Sequence, residues 1–443
     1  MRTRKDNLGL ALSGTDDTSL SHYLDAVRQL QCYANDPVAT VDAAIATRPD
    51  FTMAHVLRAY LHLLGTEPEA VAVARESHST AANLPMNARE RGHVAAVGHL
   101  VNGHWHKAGR VLEDVTIDAP RDALALLAGH LIDFYTGHSR MLRDRIARAL
   151  PAWDEAMPGY HSILGMHAFG LEETGNYALA EKQGRRGVEL QPRDGWSQHA
   201  VAHVMEMQGR QRDGIAWMQV NREGWATDSF FAVHNWWHLA LYHLEIGELE
   251  EALALFDGPI HGAHSNVILD MADASALLWR LMLQGIDVGD RWQSVADGWA
   301  PIATAGNYAF NDVHAVMALV GAGRLPAAEA VIAAQHEAMA RTDDNAVFTR
   351  DVGHVLCKAI VAFGVGNYAE TTQLIRPIRS IAHRFGGSHA QRDVIDLTLI
   401  EAAFRSGQDA LARALAAERL SVRPQSPLTR LFAQRAEQRQ SAA

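Results

Sequence analysis

Gly175-Asn176-Tyr177-Ala178-Leu179-Ala180 holds the unit from which the rest of the chain can be read, and Gly366-Asn367-Tyr368 begins it again. A turn glycine recurs as Gly65, Gly103, Gly137, Gly175, Gly209, Gly247, Gly285, Gly323, Gly366 and Gly407, at spacings of 34 to 43 residues. Five residues after the glycine an alanine returns: Ala70, Ala108, Ala180, Ala252, Ala328 and Ala412. Seventeen after it, proline stands in three units as Pro120, Pro192 and Pro424. The physical content of a unit is a helix, a tight turn, a second helix and a stop. Glycine takes the left-handed conformation that ends the first helix. Alanine lets two helix backbones approach closely, and proline cannot continue the second helix. Stretches such as 236–244 and 272–283 carry apolar residues at helical spacing, and alternating strand-like runs are missing.

A fixed period with one helical pair per unit is the mark of a solenoid. The chain resembles a tetratricopeptide-repeat (TPR) array: an all-α, TPR-like α-solenoid of about ten helix-turn-helix repeats forming a curved superhelix. Residues 1–45 are expected to form an N-terminal helical cap, 46–424 the solenoid, and 425–443 a polar C-terminal tail. Pro301 to Gly306 reads as an irregular connection inside one continuous body.

Composition narrows the function. The 443 residues include 40 basic and 51 acidic side chains, a formal net charge of −11, and 48% are hydrophobic. That share of apolar residues excludes wholesale disorder, and no apolar run reaches the length of a membrane span. Met1-Arg2-Thr3-Arg4-Lys5 is basic, but the apolar run behind it is short and contains Gly9, which argues against a signal peptide. An acidic balance without a long basic run argues against nucleic acid as the main partner. Cys32 and Cys357 lie far apart in sequence, which fits a reducing cytoplasm better than a disulfide framework. A cytoplasmic protein with no membrane partner is the expectation.

The 24 histidines carry the chemistry. In repeats of this kind the first helix of each unit lines the concave surface, and positions spaced by three and four share one helical face. Counting back from Gly209 places Trp196, His199, His203 and Glu206 on that face. Counting back from Gly247 gives His234, Trp237, Leu241 and Glu245, with His238 on nearly the same stripe. The helix before Gly175 offers Gly165, Phe169, Glu172 and Glu173; Gly165, with no side chain, would leave room above its neighbour. His55, His93 and His314, with Asp312 beside the last, fall at similar offsets. Three adjacent units thus aim histidines and carboxylates at one wall, rimmed by Trp196, Trp236 and Trp237. His199-x-x-x-His203-x-x-Glu206 could hold a metal, with His199, His203 and His238 as the ligands and zinc or iron as the ion. It is not the His-Glu-x-x-His of metalloproteases. Histidine also titrates near neutrality, so an acid–base role competes with ligation, and plain packing competes with both.

Other features have blander readings. Glu172-Glu173 reads as a solvated helix end before it reads as a carboxylate pair. Asn311-Asp312 reads as a helix cap, and Ser388 in Gly386-Gly387-Ser388-His389-Ala390-Gln391-Arg392-Asp393 as another. Arg140, Arg143, Arg145 and Arg148 read as a solvated face, His261 and His264 as exposed loop residues, and Cys357 as packing. Phosphate-binding glycine loops, nucleophile elbows and paired-cysteine motifs are absent from the sequence.

The strings Gly165-Met166-His167-Ala168-Phe169-Gly170-Leu171-Glu172-Glu173, His199-Ala200-Val201-Ala202-His203-Val204-Met205-Glu206-Met207-Gln208-Gly209, His234-Asn235-Trp236-Trp237-His238-Leu239-Ala240-Leu241 and 386–393 resemble the tetratricopeptide repeat protein 38 family. The resemblance runs from Leu20 to about Leu420. It implies a soluble helical-repeat protein and no particular reaction.

Two functions follow from the residues. In the first, the chain is an enzyme using acid–base or metal-assisted, hydrolase-like chemistry on a small polar or peptide-like metabolite. His199, His203, Glu206, His234 and His238 would be its catalytic set, and Glu172, Glu173, Trp196, Trp237, Asp312 and His314 would bind the substrate. In the second, the wall is the groove of a non-catalytic scaffold for a protein or peptide partner, with the tryptophans as hot spots. A scaffold needs a long open groove; an enzyme needs a closed cavity around His203 and His238.

Overall fold

The turn glycines sit where helices end. In the computed structural model, which describes residues 3–442, all but Gly65 adopt positive φ, between 70° and 81°. At Gly209 (φ 70°) the glycine N–H donates to the Glu206 carbonyl and the Arg210 N–H to the Met205 carbonyl, closing the last turn of a helix. In the first unit the left-handed residue is Thr66 (φ 61°), one place later than the sequence suggests. Ala108, Ala180, Ala252, Ala328 and Ala412 are fully buried, as close backbone packing requires, whereas Ala70 is half-buried.

The chain is all-α apart from a short antiparallel strand pair, Thr3–Lys5 with Ala11–Ser13. Helices follow as antiparallel pairs in the manner of TPR-like repeats, and they separate into two compact units. The first comprises residues up to Val201 together with Asn221–Ala232. Its pairs include Tyr160–Glu172 with Tyr177–Leu190. The second comprises Ala202–Val220 and residues from Val233 onward. It holds the Ala232–Glu245 helix from Val233 onward and the helices Ile268–Leu283, Ala309–Gly321, His389–Arg405 and Asp409–Val422. The Gly195–Met207 helix contributes its first seven residues to the first unit and the rest to the second.

Within the first unit, small residues set the height of that helix. A Cβ on Gly165 would lie 2.4 Å from the Ser197 hydroxyl, and one on Gly187 would lie 2.2 Å from it. Gly165 therefore opens no space. It admits Ser197, whose N–H and hydroxyl are both held by Asp194 (2.9 and 2.7 Å).

The C-terminal segment also differs from its composition. Residues 427–442 are helical, with Leu428, Phe432 and Ala436 buried. Three apolar residues spaced by four within polar sequence are enough to dock a helix. Arg145 is 1% exposed and paired with Asp133 at 2.7 Å, while Arg140 on the same helix is solvated. His261 is buried and hydrogen-bonded to Ser294 (3.0 Å); His264 is exposed, and Cys32 and Cys357 are free and buried. Ser388 caps its helix through a capping box with Gln391. No helix among the described residues is long and apolar enough to cross a membrane.

Candidate functional site

In the second unit, one turn of the Gly195–Met207 helix faces two turns of Ala232–Glu245. His203 comes from the first, and His234 and His238 sit four residues apart on the second, so the latter pair shares a face. One potential ligand atom from each of His203, His234 and His238 lies within 4.8 Å of the others. The His203 and His238 ring centroids are 4.4 Å apart, and those of His234 and His238 are 4.9 Å apart and nearly perpendicular. Both His203 and His238 are fully buried.

Carboxylates hold two of the rings. His238 Nδ1 lies 3.0 Å from Glu206 Oε2, one turn beyond His203, and His234 Nδ1 lies 2.8 Å from Asp273 Oδ2. With each Nδ1–H donating to its carboxylate, Nε2 is the basic nitrogen of the ring. Trp237 stacks on His234 at 5.3 Å, and the Arg280 guanidinium lies 5.2 Å from the Trp237 ring centre. Arg280 is fastened by the Ala390 and Ala276 carbonyls (2.8 and 3.1 Å).

Burial dominates the electrostatics here. It pushes Glu206 up to about 7, against the pull of Arg423 and Arg280. It holds His238 well below the usual imidazole range, aided by His234 and Arg280. Burial also brings Arg280 down to about 10. A buried neutral imidazole is the form that ligates metals. Glu206 also lines a small crevice of about 30 Å³ with Tyr242, Arg280, Asp393 and Arg423.

His–carboxylate pairs recur in the first unit, and there they are structural. His93 meets Asp122 (2.9 Å) and His161 meets Asp194 (2.8 Å). Asp122 and Asp194 also accept the N–H of Ala125 and Ser197 at the starts of the following helices. Asp273 lies in the second turn of its helix, past the capping position. Its pairing with His234 is thus not explained by helix initiation.

The remaining expected site residues are buried too. In the first unit, His199 is packed among the rings of Trp196, Phe169 and Phe231, at centroid distances of 4.9, 5.3 and 5.2 Å. Glu172 and Glu173 are buried, where a solvated helix end was expected; Ser139 donates to Glu173 at 3.4 Å. Trp196, Trp236 and Trp237 are buried walls and not an exposed rim. In the second unit Asp312 is turned toward its own hairpin: Gln335 donates to it at 3.1 Å and also contacts Cys357 Sγ. It sits inside the Ala309–Gly321 helix, so it is no cap, and burial pushes it up to about 7. His314 bonds the Phe310 carbonyl, and burial lowers it to about 4.

Asp273, Arg280, Asp393 and Arg423 escaped the sequence reading. The signal available for the first two was a pair of charged residues inside the otherwise apolar run 272–283. Such residues stay buried only when paired.

No family model matches the chain. Among solved structures it is similar to the human IFIT1 dimer with m7Gppp-AAAA, at 14% identity and a TM-score of 0.43, covering 98% of this chain and 96% of that one. It is similar to yeast Tom70 at 12% identity and a TM-score of 0.33, covering 96% and 88%. For Naa15/Naa10 bound to HypK-THB the values are 11%, 0.24, and 95% and 66%. Similarities this distant carry no argument about ligand or activity.

Proposed function

We propose that the second unit carries a hydrolase-like centre in which His203, His234 and His238 hold a divalent transition metal, zinc or iron. Its substrate would be a small polar or peptide-like metabolite. The observation that carries this reading is the convergence of three imidazoles within 4.8 Å, two of them oriented by carboxylates, the buried Asp273 and the half-buried Glu206. Three protein nitrogens leave a position for water or substrate, and a carboxylate behind a ligating imidazole is the usual supporting arrangement.

A metal bound there would supply a nucleophilic hydroxide at neutral pH and polarise a scissile carbonyl. The chain's own groups do the rest. Asp273 and Glu206 keep His234 and His238 in the tautomer with a basic Nε2. Glu206 touches His238 on one side and the crevice on the other, and its elevated pKa suits it to take a proton and return it to a leaving group. Trp237 and the buried surroundings keep bulk water away.

The competing reading is a scaffold for a protein partner. It calls for an exposed groove, whereas His203 and His238 are fully buried, which favours a closed centre. On its sequence strings we also place the chain near the tetratricopeptide repeat protein 38 family, in a reducing cytoplasm that would keep Cys32 and Cys357 free. The test is elemental analysis of untagged protein together with hydrolysis of a panel of N-acyl, ester and amide metabolites. The expected result is about one zinc or iron per chain and turnover abolished in His203→Ala. Metal-free, inactive protein that co-purifies with a partner would replace this reading with the scaffold.

A further inference from the structure

A second feature of the same unit bears on what the centre acts upon. A cavity of about 410 Å³ lies among the Arg379–Phe385 turn, the His389–Arg405 helix and the Asp409–Val422 helix. Such a volume suits a small metabolite. Its charges are sorted by depth. Near solvent, Arg379 is neutralised by Asp396 and Glu418 (2.7 and 3.0 Å), all three partly exposed. Deeper, Arg419 and Arg423 share the single carboxylate of Asp393.

That sharing is unequal. Arg419 takes both Asp393 oxygens, at 2.6 and 2.8 Å. Arg423 is left at 3.7 Å from Asp393, with the Met207 thioether as its hydrogen-bond acceptor at 3.3 Å. Its side chain is only 11% exposed. A nearly buried guanidinium has five N–H donors to satisfy, and a thioether is a weak acceptor. Glu206 and Glu245 stand nearby but are committed to His238 and to Ser426. Apolar side chains line the same space: Ile395, Ile400 and Leu415.

We propose that this cavity seats a small carboxylic acid with an apolar body, its carboxylate on Arg423 and its body against Ile395, Ile400 and Leu415. The inference rests on the hydrolase reading and names its substrate class. Arg423 and Asp393 line both this cavity and the crevice that contains Glu206, so an acid anchored on Arg423 lies beside the group assigned to proton transfer. A guanidinium fork recognises a planar carboxylate by two parallel hydrogen bonds, which a neutral amide cannot reproduce.

Calorimetric titration of the full chain tests this, using N-acetyl-leucine, N-acetyl-leucinamide and inorganic phosphate, each with and without prior chelation. The acid is expected to bind at least tenfold more tightly than the amide, and phosphate is expected not to displace it. Arg423→Gln should weaken the acid at least tenfold and leave the amide unchanged, with Arg423→Lys intermediate. Because Arg423 ends a helix, the comparison of acid with amide on the unaltered chain stands even if the variants fail to fold. Equal binding of acid and amide, no binding of the acid, or phosphate competing on equal terms would overturn the proposal. Acid binding that survives in a chain lacking any metal affinity would keep the pocket and refute the metal centre. Metal without acid binding would do the reverse.

Discussion

At the residue scale, the imidazole–carboxylate pairs are the features with consequences to measure. Asp273 touches no metal position itself and would act through His234. Replacing it with Asn removes the acceptor charge but preserves the shape, so Asp273→Asn should weaken metal binding about 10- to 100-fold with little change in folding. Chelator competition on the purified variant measures this. Asp312 gives an independent check on burial. Its pKa of about 7 lies above the ordinary 3.8, so between these pH values the folded chain holds more protons than the unfolded one. Stability therefore falls as pH rises through that window, by at most about 4 kcal/mol from this group. Asp312→Asn has no such loss: relative to the parent it should gain stability from pH 4 to 7 and then level off. The buried His314 acts in the opposite sense, but it is present in both proteins and cancels. Urea unfolding of both chains at pH 4.5 and 8 decides the point.

At the element scale, the periodicity of the turn glycines was enough to place His203, His234 and His238 together. Each sits at a set distance from a glycine, and helix geometry does the rest. Asp273 stands twelve residues before Gly285, one place from the offset of His234 before Gly247, but its helix carries no histidine to mark it. The burial of Glu172 and Glu173, the role of Gly165 and the docking of 427–442 were also hidden, since each depends on what a neighbouring helix brings. Gly165 makes a sharp test of helix placement. A methyl group there would collide with Ser197, and overpacking of this kind costs about 1–3 kcal/mol. Gly165→Ala should lower the melting temperature and, by displacing the Gly195–Met207 helix, weaken metal binding as well. Calorimetry paired with a metal titration reads both effects.

At the scale of the whole molecule, an all-α array with many short-range helix pairs is what the repeat pattern required, and two compact units are what it became. The clustering of chemistry in the second unit reflects convergence from distant segments: Glu206, Arg280, Asp393 and Arg423 meet there although they span more than half of that unit's sequence. Such long-range meetings leave no local trace, and this is why Arg423 could not be singled out beforehand. A ligand that binds only the folded chain adds stability, by about 4 kcal/mol at a thousandfold excess over its dissociation constant. Chelation should accordingly lower the melting temperature of the parent chain and leave a triple alanine variant at His203, His234 and His238 unaffected.

Cobalt(II) titration, followed by visible absorption, tests the centre most directly. A three-histidine centre requires saturation at one equivalent, with an intense d–d spectrum of a low-coordinate nitrogen site that disappears in His238→Ala. A weak octahedral spectrum with no end-point, identical in the parent chain and in His238→Ala, would contradict it.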